Sequence, residues 1–268
     1  MCALISSDSS LISGAQNKVK KYDVVAFDLD GTLTPSKSPL QPEMATILGR
    51  LLLHHKVAVI SGAAFPQFQT QFLIHLNCPP ESLKNLIILP TNGSNVCVYE
   101  NSTWDCKQDK PFSVAEKQQI KGALEQAFAA AGFAVPEKTY GPAIEDRATQ
   151  ITFSALGQEA PLEIKKSWDP DHAKRQKIVD ALKPLLPEFS ARIGGATSID
   201  ITRVGIDKAY GLKKVLASLK ITPEKMLYIG DELFPDGNDA PATTIGADWL
   251  PVTGPEETAT FLATFLSA

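Results

Sequence analysis

Four short apolar runs govern what this chain can fold into: the valine- and aromatic-rich Tyr22–Asp28, then Val57–Ile60, Leu86–Leu89 and Met226–Ile229. They are too short for helices and too continuously apolar for strands with one wet face, so they read as strands buried on both sides. Each runs out into loop-forming residues: Asp28 and then Gly31, Ser61-Gly62, Asn92-Gly93 and Gly230-Asp231. Helical periodicity fills the intervals. Pro42 opens a helix whose apolar residues Met44, Ile47, Leu48, Leu51 and Leu52 recur at helical spacing, and a second helical stretch covers Pro66–Leu76. Strand, helix, strand, helix, strand is the order of a parallel sheet with helices on its faces.

Between residues 94 and 203 the pattern changes. Strand candidates now alternate: Gln150, Thr152 and Ser154 oppose Ile151 and Phe153, and Ser198, Asp200 and Thr202 oppose Thr197, Ile199 and Ile201. Half-polar strands suit an antiparallel sheet with one open face. Two amphipathic helices lie among them, one with Ile120, Leu124, Ala127, Phe128 and Ala131, the other with Ile178, Leu182, Leu185 and Leu186. After Asp207 the first pattern returns, with a helix bearing Leu212, Val215, Leu216 and Leu219, the strand Met226–Ile229, a strand-like Asp248–Val252 and a last helix with Leu262, Phe265 and Leu266. The expected fold class is therefore α/β, with a discontinuous core (1–93 and 204–268) interrupted by an α+β insert (94–203). Residues 1–21 read as a frayed leader, without the basic start and apolar run of a signal peptide.

The 268 residues suffice for one large or two modest domains at about 150 residues each. A net charge of −4 leaves no basic footprint for nucleic acid, and no apolar run approaches the ~20 residues that span a bilayer. Neither nucleic acid nor membrane is expected as a partner. Cys2, Cys78, Cys97 and Cys106 show no CxxC pair and no zinc spacing, so they are expected as reduced thiols in a cytoplasmic protein.

Chemistry concentrates at the strand ends. Asp28, Asp30, Ser61 and Asp231 follow three of the apolar runs, and Lys208 opens the helix before the last. In open α/β sheets, sites lie beyond the carboxyl ends of the strands. Clustered carboxylates need a cation, and hard oxygen donors suit magnesium. A lysine and a serine hydroxyl beside such a metal would cradle a phosphoryl group, with one carboxylate as nucleophile and another moving protons. Each residue also has a plainer reading: Ser61 as a helix N-cap, Arg147 as half of a surface ion pair, Ser198 and Asp200 as the wet face of a sheet. His54, His55, His75 and His172 match no role.

The run Asp28-Leu29-Asp30-Gly31-Thr32-Leu33-Thr34 resembles the first motif of the haloacid dehalogenase superfamily. Ser61, Lys208 and Gly230-Asp231 followed by Asn238-Asp239 resemble its other three motifs, in order. The insert after the third strand is similar in position to the C2-type cap of the Cof-like, sucrose-phosphatase and eukaryotic-type phosphomannomutase branch. The phosphomannomutases look closest, sharing the extension Asp30–Pro35 and a strand of the type Gly194-Gly195-Ala196-Thr197-Ser198-Ile199-Asp200 that leads to Asp207-Lys208. The resemblance implies a Rossmannoid core with an α+β cap. It further implies that Asp28 is the nucleophile, that Asp30 is the acid and base, and that Ser61 and Lys208 bind the transferring phosphoryl. Magnesium would be held by Asp28, the Asp30 main-chain carbonyl and Asp231, supported by Asn238 and Asp239. Arg147, Ser198 and Asp200 would meet the sugar or its distal phosphate, and a homodimer would form through the cap.

One departure bears on activity. Mutases hold the second phosphate of a bisphosphate intermediate with several cap arginines, and Gln158 stands where their S-P-I-G-R pattern carries one. A neutral glutamine cannot make the bidentate charged pair. The expected function is a magnesium-dependent phosphatase of a small phosphorylated metabolite, a sugar phosphate. The alternative is a phosphosugar mutase, with Lys165, Lys166, Arg175 or Arg192 in place of the missing arginine. A binding protein with retired chemistry is the third reading, opposed by intact Asp28, Asp30, Lys208 and Asp231.

Overall fold

The structure, a computed structural model, describes residues 22–136, 138–235 and 237–267, so the expected leader, Cys2 and Asp236 lie outside the described residues. A seven-stranded sheet is built from β1 (Val24–Asp28), β2 (Lys56–Ile60), β3 (Leu86–Leu89), β4 (Asn95–Glu100), β5 (Thr103–Gln108), β10 (Met226–Gly230) and β11 (Asp248–Pro251). Its order is β11-β10-β1-β2-β3-β4-β5, parallel from β11 to β3 and antiparallel through β4 and β5. The chain leaves β1 toward β2 on one side and comes back to β10 on the other. That reversal opens a crevice at the carboxyl ends of β1 and β10.

Burial on both faces explains the unbroken apolar runs. Val25 and Phe27 of β1 face a core shared with α1 (Pro42–Leu51) and α7 (Pro255–Phe265), through Leu48, Leu51, Leu262 and Phe265. Val24 and Ala26 face the opposite core, closed by Leu212 and Val215 of α6 (Lys208–Leu219). The expected helix at Pro66–Leu76 forms as α2 (Phe65–Gln71) and a short 3₁₀ turn at Leu73–His75.

A second, four-stranded antiparallel sheet has the order β6-β7-β9-β8, from β6 (Ile144–Asp146), β7 (Ile151–Ser154), β8 (Phe189–Gly194) and β9 (Ser198–Arg203). The helices α3 (Val114–Ala131) and α5 (Ala173–Leu182) cover its apolar face, with α4 (Leu162–Trp168) between β7 and α5 in the chain; Ile120, Leu124, Phe128, Ile178 and Leu182 meet Ile151, Phe153, Ile199 and Ile201. A capping box between Ser113 and Glu116 starts α3, and Gly132 in the left-handed region ends it.

Within the expected insert 94–203, β4 and β5 hydrogen-bond onto β3 as an antiparallel edge hairpin of the larger sheet. One expectation is corrected. The four cysteines were expected to be reduced, yet Cys97 and Cys106 stand directly opposite each other in that hairpin and form a disulfide, leaving Cys78 free among the described residues. Among the described residues no helix is long and apolar enough to cross a membrane.

The insert has its own buried charge. Arg175, with its side chain fully buried, pairs with buried Asp169 at 2.8 Å and donates to the carbonyl of Gly195 at 2.6 Å, tying α5 to the β8–β9 turn. Arg175→Met should lower the unfolding free energy by about 3–5 kcal/mol, since it strands the Asp169 carboxylate in the interior. Urea unfolding followed by the fluorescence of Trp168 checks this, and a loss under ~1 kcal/mol would contradict it.

Candidate active site

The crevice between the larger sheet and the polar face of the smaller one holds nearly every residue singled out from the sequence. Asp28, Asp30, Ser61, Arg147, Ser198, Asp200, Lys208 and Asn238 all line it. Asp231 stands beside it: carboxylate oxygens of Asp28, Asp231 and Asp239 lie within 4.8 Å of one another.

Each side chain has a local reason for its place. Asp28 ends β1, and Asp231 and Asp239 follow the neighbouring β10, so strand pairing brings residues 203 positions apart (231 − 28) to one sheet edge. Gly31 lies in the left-handed region at φ 91°, and a Cβ there would come within 2.2 Å of an Asp231 carboxylate oxygen. Only glycine permits both that turn and that approach. Thr32 donates to Asp231 Oδ1 at 2.8 Å. Lys208 is delivered by the first turn of α6, whose N-cap Asp207 accepts from the Tyr210 N–H.

Charge is densest around Lys208. Its buried ammonium lies 2.7 Å from Asp28 and 2.6 Å from Asp239, and also donates to Asn238 Oδ1. Asp239, fully buried, further accepts from the Tyr228 hydroxyl and from the Glu232 N–H at 2.9 Å. Burial alone would lower the Lys208 ammonium, but Asp239 and Asp28 outweigh it and hold it above the usual lysine range. Burial, opposed by Lys208 and reinforced by Asp239 and Asp231, holds Asp28 well above the usual carboxylate range. Burial and then Asp239 push Asp231 up to about 6. Three carboxylates gathered within 4.8 Å of one another, with no nitrogen or sulfur among them, fit a hard divalent cation such as magnesium.

The sequence gave Asp239 only a supporting part in that metal set, whereas the cluster includes it as the third carboxylate. The Asp30 carboxylate is turned elsewhere. It accepts from Gln71 Nε2 at 2.9 Å and from the main-chain N–H of Lys37, which leaves its main-chain carbonyl as the group it could offer a metal. Ser61 does not cap α2, whose N-cap is Ala64; its hydroxyl accepts from the Ala63 N–H at 3.1 Å in the loop before the helix.

The polar face of the smaller sheet was expected to be open. Gln150, Thr152, Ser154, Ser198 and Asp200 are instead buried, because that face closes over the crevice. Thr152 donates to Asp200 at 2.8 Å, Ser154 and Ser198 share a hydrogen bond at 2.7 Å, and Gln150 reaches the Gly62 carbonyl at 2.9 Å. Arg147 pairs with Glu145 and also donates to the Gly62 carbonyl, so it bridges the two sheets.

Sequence reasoning missed Lys37, Gln71 and Tyr228. Lys37 crosses the crevice, donating to Gln158 Oε1 and lying 3.3–3.4 Å from the hydroxyls of Ser198 and Ser154. Its only signal was position, three residues after the Asp30–Thr34 loop in a polar Ser36-Lys37-Ser38 run. Tyr228 is hidden inside an apolar strand, and Gln71 ends an unremarkable helix.

Comparisons with known proteins agree with this geometry. A probable phosphomannomutase of Caenorhabditis elegans is 26% identical over 251 residues, covering 88% of this chain and 92% of that protein. Phosphomannomutase 1 of Homo sapiens is 27% identical over 226 residues, 82% of each chain. The fold is similar to that of the C-terminally truncated IMP-nucleotidase of Plasmodium falciparum, at TM-score 0.71 and 20% identity over 96% of this chain and 74% of that one. It is also similar to a haloacid dehalogenase-like hydrolase from Bacteroides thetaiotaomicron, at TM-score 0.56 and 16% identity over 91% and 99% of the two chains. A family model matches residues 25–239, well over half of the sequence, and by that match the chain belongs to the haloacid dehalogenase-like hydrolases.

Proposed function

We propose that this protein is a magnesium-dependent phosphatase that hydrolyses a small phosphorylated metabolite, a sugar phosphate, through a phosphoaspartyl intermediate. One observation carries the reading. Asp28 has its carboxylate fixed by Lys208 at 2.7 Å, while the carboxylate of Asp30, two residues on, is held apart by Gln71 and the Lys37 N–H. Two carboxylates in different surroundings can serve as nucleophile and as proton carrier.

An Asp28 oxygen attacks phosphorus, and the bond from phosphorus to the leaving oxygen breaks as Asp30 passes that oxygen its proton. Ionised Asp30 then takes a proton from water, whose oxygen attacks the same phosphorus and releases inorganic phosphate, restoring the Asp28 carboxylate. Lys208 and the Ser61 hydroxyl line the crevice beside Asp28, where they meet the equatorial phosphoryl oxygens. Asp28, Asp231, Asp239 and the Asp30 carbonyl would hold magnesium, which would supply charge neutralisation at the phosphoryl group. Arg147, Ser198, Asp200 and Asn238 bind the remainder of the substrate.

The second reading, hexose 1-phosphate/6-phosphate interconversion, is favoured by the names of the curated relatives, which are phosphomannomutases at 26–27% identity. Phosphorus NMR on mannose 1-phosphate and glucose 1-phosphate separates the two readings, with magnesium and a trace of the matching 1,6-bisphosphate present. Inorganic phosphate should accumulate, and Asp28→Asn should slow it by at least about 10³-fold, of the order expected when a covalent nucleophile is lost. Accumulation of the 6-phosphate isomer, dependent on the bisphosphate, would establish the mutase instead.

Magnesium affinity should depend on pH. Asp231 is raised to about 6 in the metal-free cluster, so its proton stabilises the metal-free fold at low pH, and that contribution is lost as pH rises through about 6. Magnesium must displace the proton below that point. Apparent affinity should therefore fall as pH drops below about 6. Calorimetric titration of magnesium from pH 5 to 8 checks the sign, and tighter binding at pH 5 would refute it.

A further inference from the structure

On the phosphatase reading, we propose that the cap end of the crevice accepts an uncharged, hydroxyl-bearing end of the substrate and excludes a second phosphoryl group, with Lys37, Gln158 and Asp200 setting that preference. Donors and acceptors alternate there. Lys37, Asn92 and Arg147 stand beside the acceptors Asp30 and Asp200 on the same lining. A sugar hydroxyl donates and accepts, so it matches both kinds of neighbour. A phosphoryl group only accepts and would bring two negative charges toward Asp200.

Among the described residues, four cations on or near the cap already have partners. Arg147 is paired with Glu145, Arg192 with Asp207 at 3.4 Å, and Arg175 is fully buried on Asp169 and main-chain carbonyls. Lys165 is committed to the Gln158 carbonyl at 3.0 Å. Lys37 differs from these, because its ammonium is held by neutral oxygens, those of Gln158, Ser154 and Ser198. The charged side chains lining the whole crevice balance, four cations against four carboxylates.

Unmet hydrogen-bonding capacity gathers at the same seam. The buried side-chain polar atoms without a hydrogen-bond partner among the described residues are Ser36 Oγ, Gln158 Nε2 and Thr197 Oγ1. Ser36 precedes Lys37 and Gln158 holds it, whereas Thr197 alternates to the face opposite Ser198. Buried polar groups are ordinarily paired. Of these, Ser36 adjoins Lys37 in the chain and Gln158 accepts from its ammonium; a hydroxyl can satisfy both neutral groups, and neither adds charge for an anion.

The test uses Asp28→Asn protein with magnesium, titrated calorimetrically with glucose 1-phosphate, mannose 1-phosphate and glucose 1,6-bisphosphate. At least one hexose monophosphate should bind at least tenfold more tightly than the bisphosphate. Adding Gln158→Arg should shift the ratio toward the bisphosphate by at least tenfold, and the near-isosteric Gln158→Glu should shift it the other way, which covers the case in which the arginine variant does not fold. Equal or tighter binding of the bisphosphate overturns the inference, as does failure of both monophosphates to bind or a ratio that neither substitution moves. Hydrolysis of p-nitrophenyl phosphate by the unsubstituted protein is measured alongside. Its absence, with the binding ratios as expected, sinks the phosphatase reading and leaves the end preference standing; hydrolysis with the bisphosphate preferred sinks the end preference alone.

Discussion

Lys208 is buried between Asp28 and Asp239, and the geometry of the site depends on that contact. Two carboxylates about 4 Å apart repel by roughly 4 kcal/mol at the effective dielectric of a protein. Asp28, Asp231 and Asp239 crowd into such a space, and the ammonium offsets the repulsion at Asp28 and Asp239. One ammonium stands against three carboxylates, an excess of acid that a divalent cation would offset. The contact also restricts the topology, because the lysine must start a helix packed on the same sheet edge where β1 and β10 end together. The pairing of β1 with β10 and the placement of α6 meet that requirement.

The contact between the two sheets has a different physical character. It consists of hydrogen bonds rather than a shared apolar core: Gln150 and Arg147 to the Gly62 carbonyl, Asn92 to Gln150 at 3.0 Å, Ser94 to Thr149 at 2.7 Å, and Lys37 to Gln158. The apolar clusters remain separate on either side of it. Interfaces made largely of polar contacts exchange readily for contacts with water, which makes relative motion the default expectation. A cap held this way can admit a substrate and then exclude bulk water, and that exclusion strengthens the electrostatics around Asp28.

Much of this was legible in the sequence because buried parallel strands and loop-forming residues leave strong local marks. Asp28, Ser61 and Asp231 could be placed at one edge because each ends an apolar run. What the sequence hid depended on partners distant in the chain. Asn95–Glu100 and Thr103–Gln108 carry no local mark of which sheet they join, so their pairing onto β3 could not be read from the chain. The disulfide follows from the register of that same hairpin, which a nine-residue separation does not disclose. Thr152, Ser154, Ser198 and Asp200 read as a wetted face because polarity in a strand is equally a sign of solvent and of a polar partner.

Lys37 exposes a deeper limit of local reading. In sequence it is one lysine between serines, yet its main-chain N–H holds the Asp30 carboxylate while its ammonium reaches Gln158 across 121 positions. Residues 28–37 thus carry the proposed nucleophile and proton carrier, the threonine that steadies Asp231, and the side chain that reaches Gln158. A ligand that displaces the ammonium from Gln158 acts on the residue whose backbone orients Asp30. The left-handed φ of 51° at Lys37 puts these two contacts on opposite sides of one residue. That backbone conformation is costly for a residue with a side chain, and it is retained where surrounding contacts fix it. On the proposed roles, recognition at the cap end and proton transfer at the core end would be coupled through a single residue, so a substrate that fits only the phosphoryl site would leave Asp30 less well oriented than one that fills both.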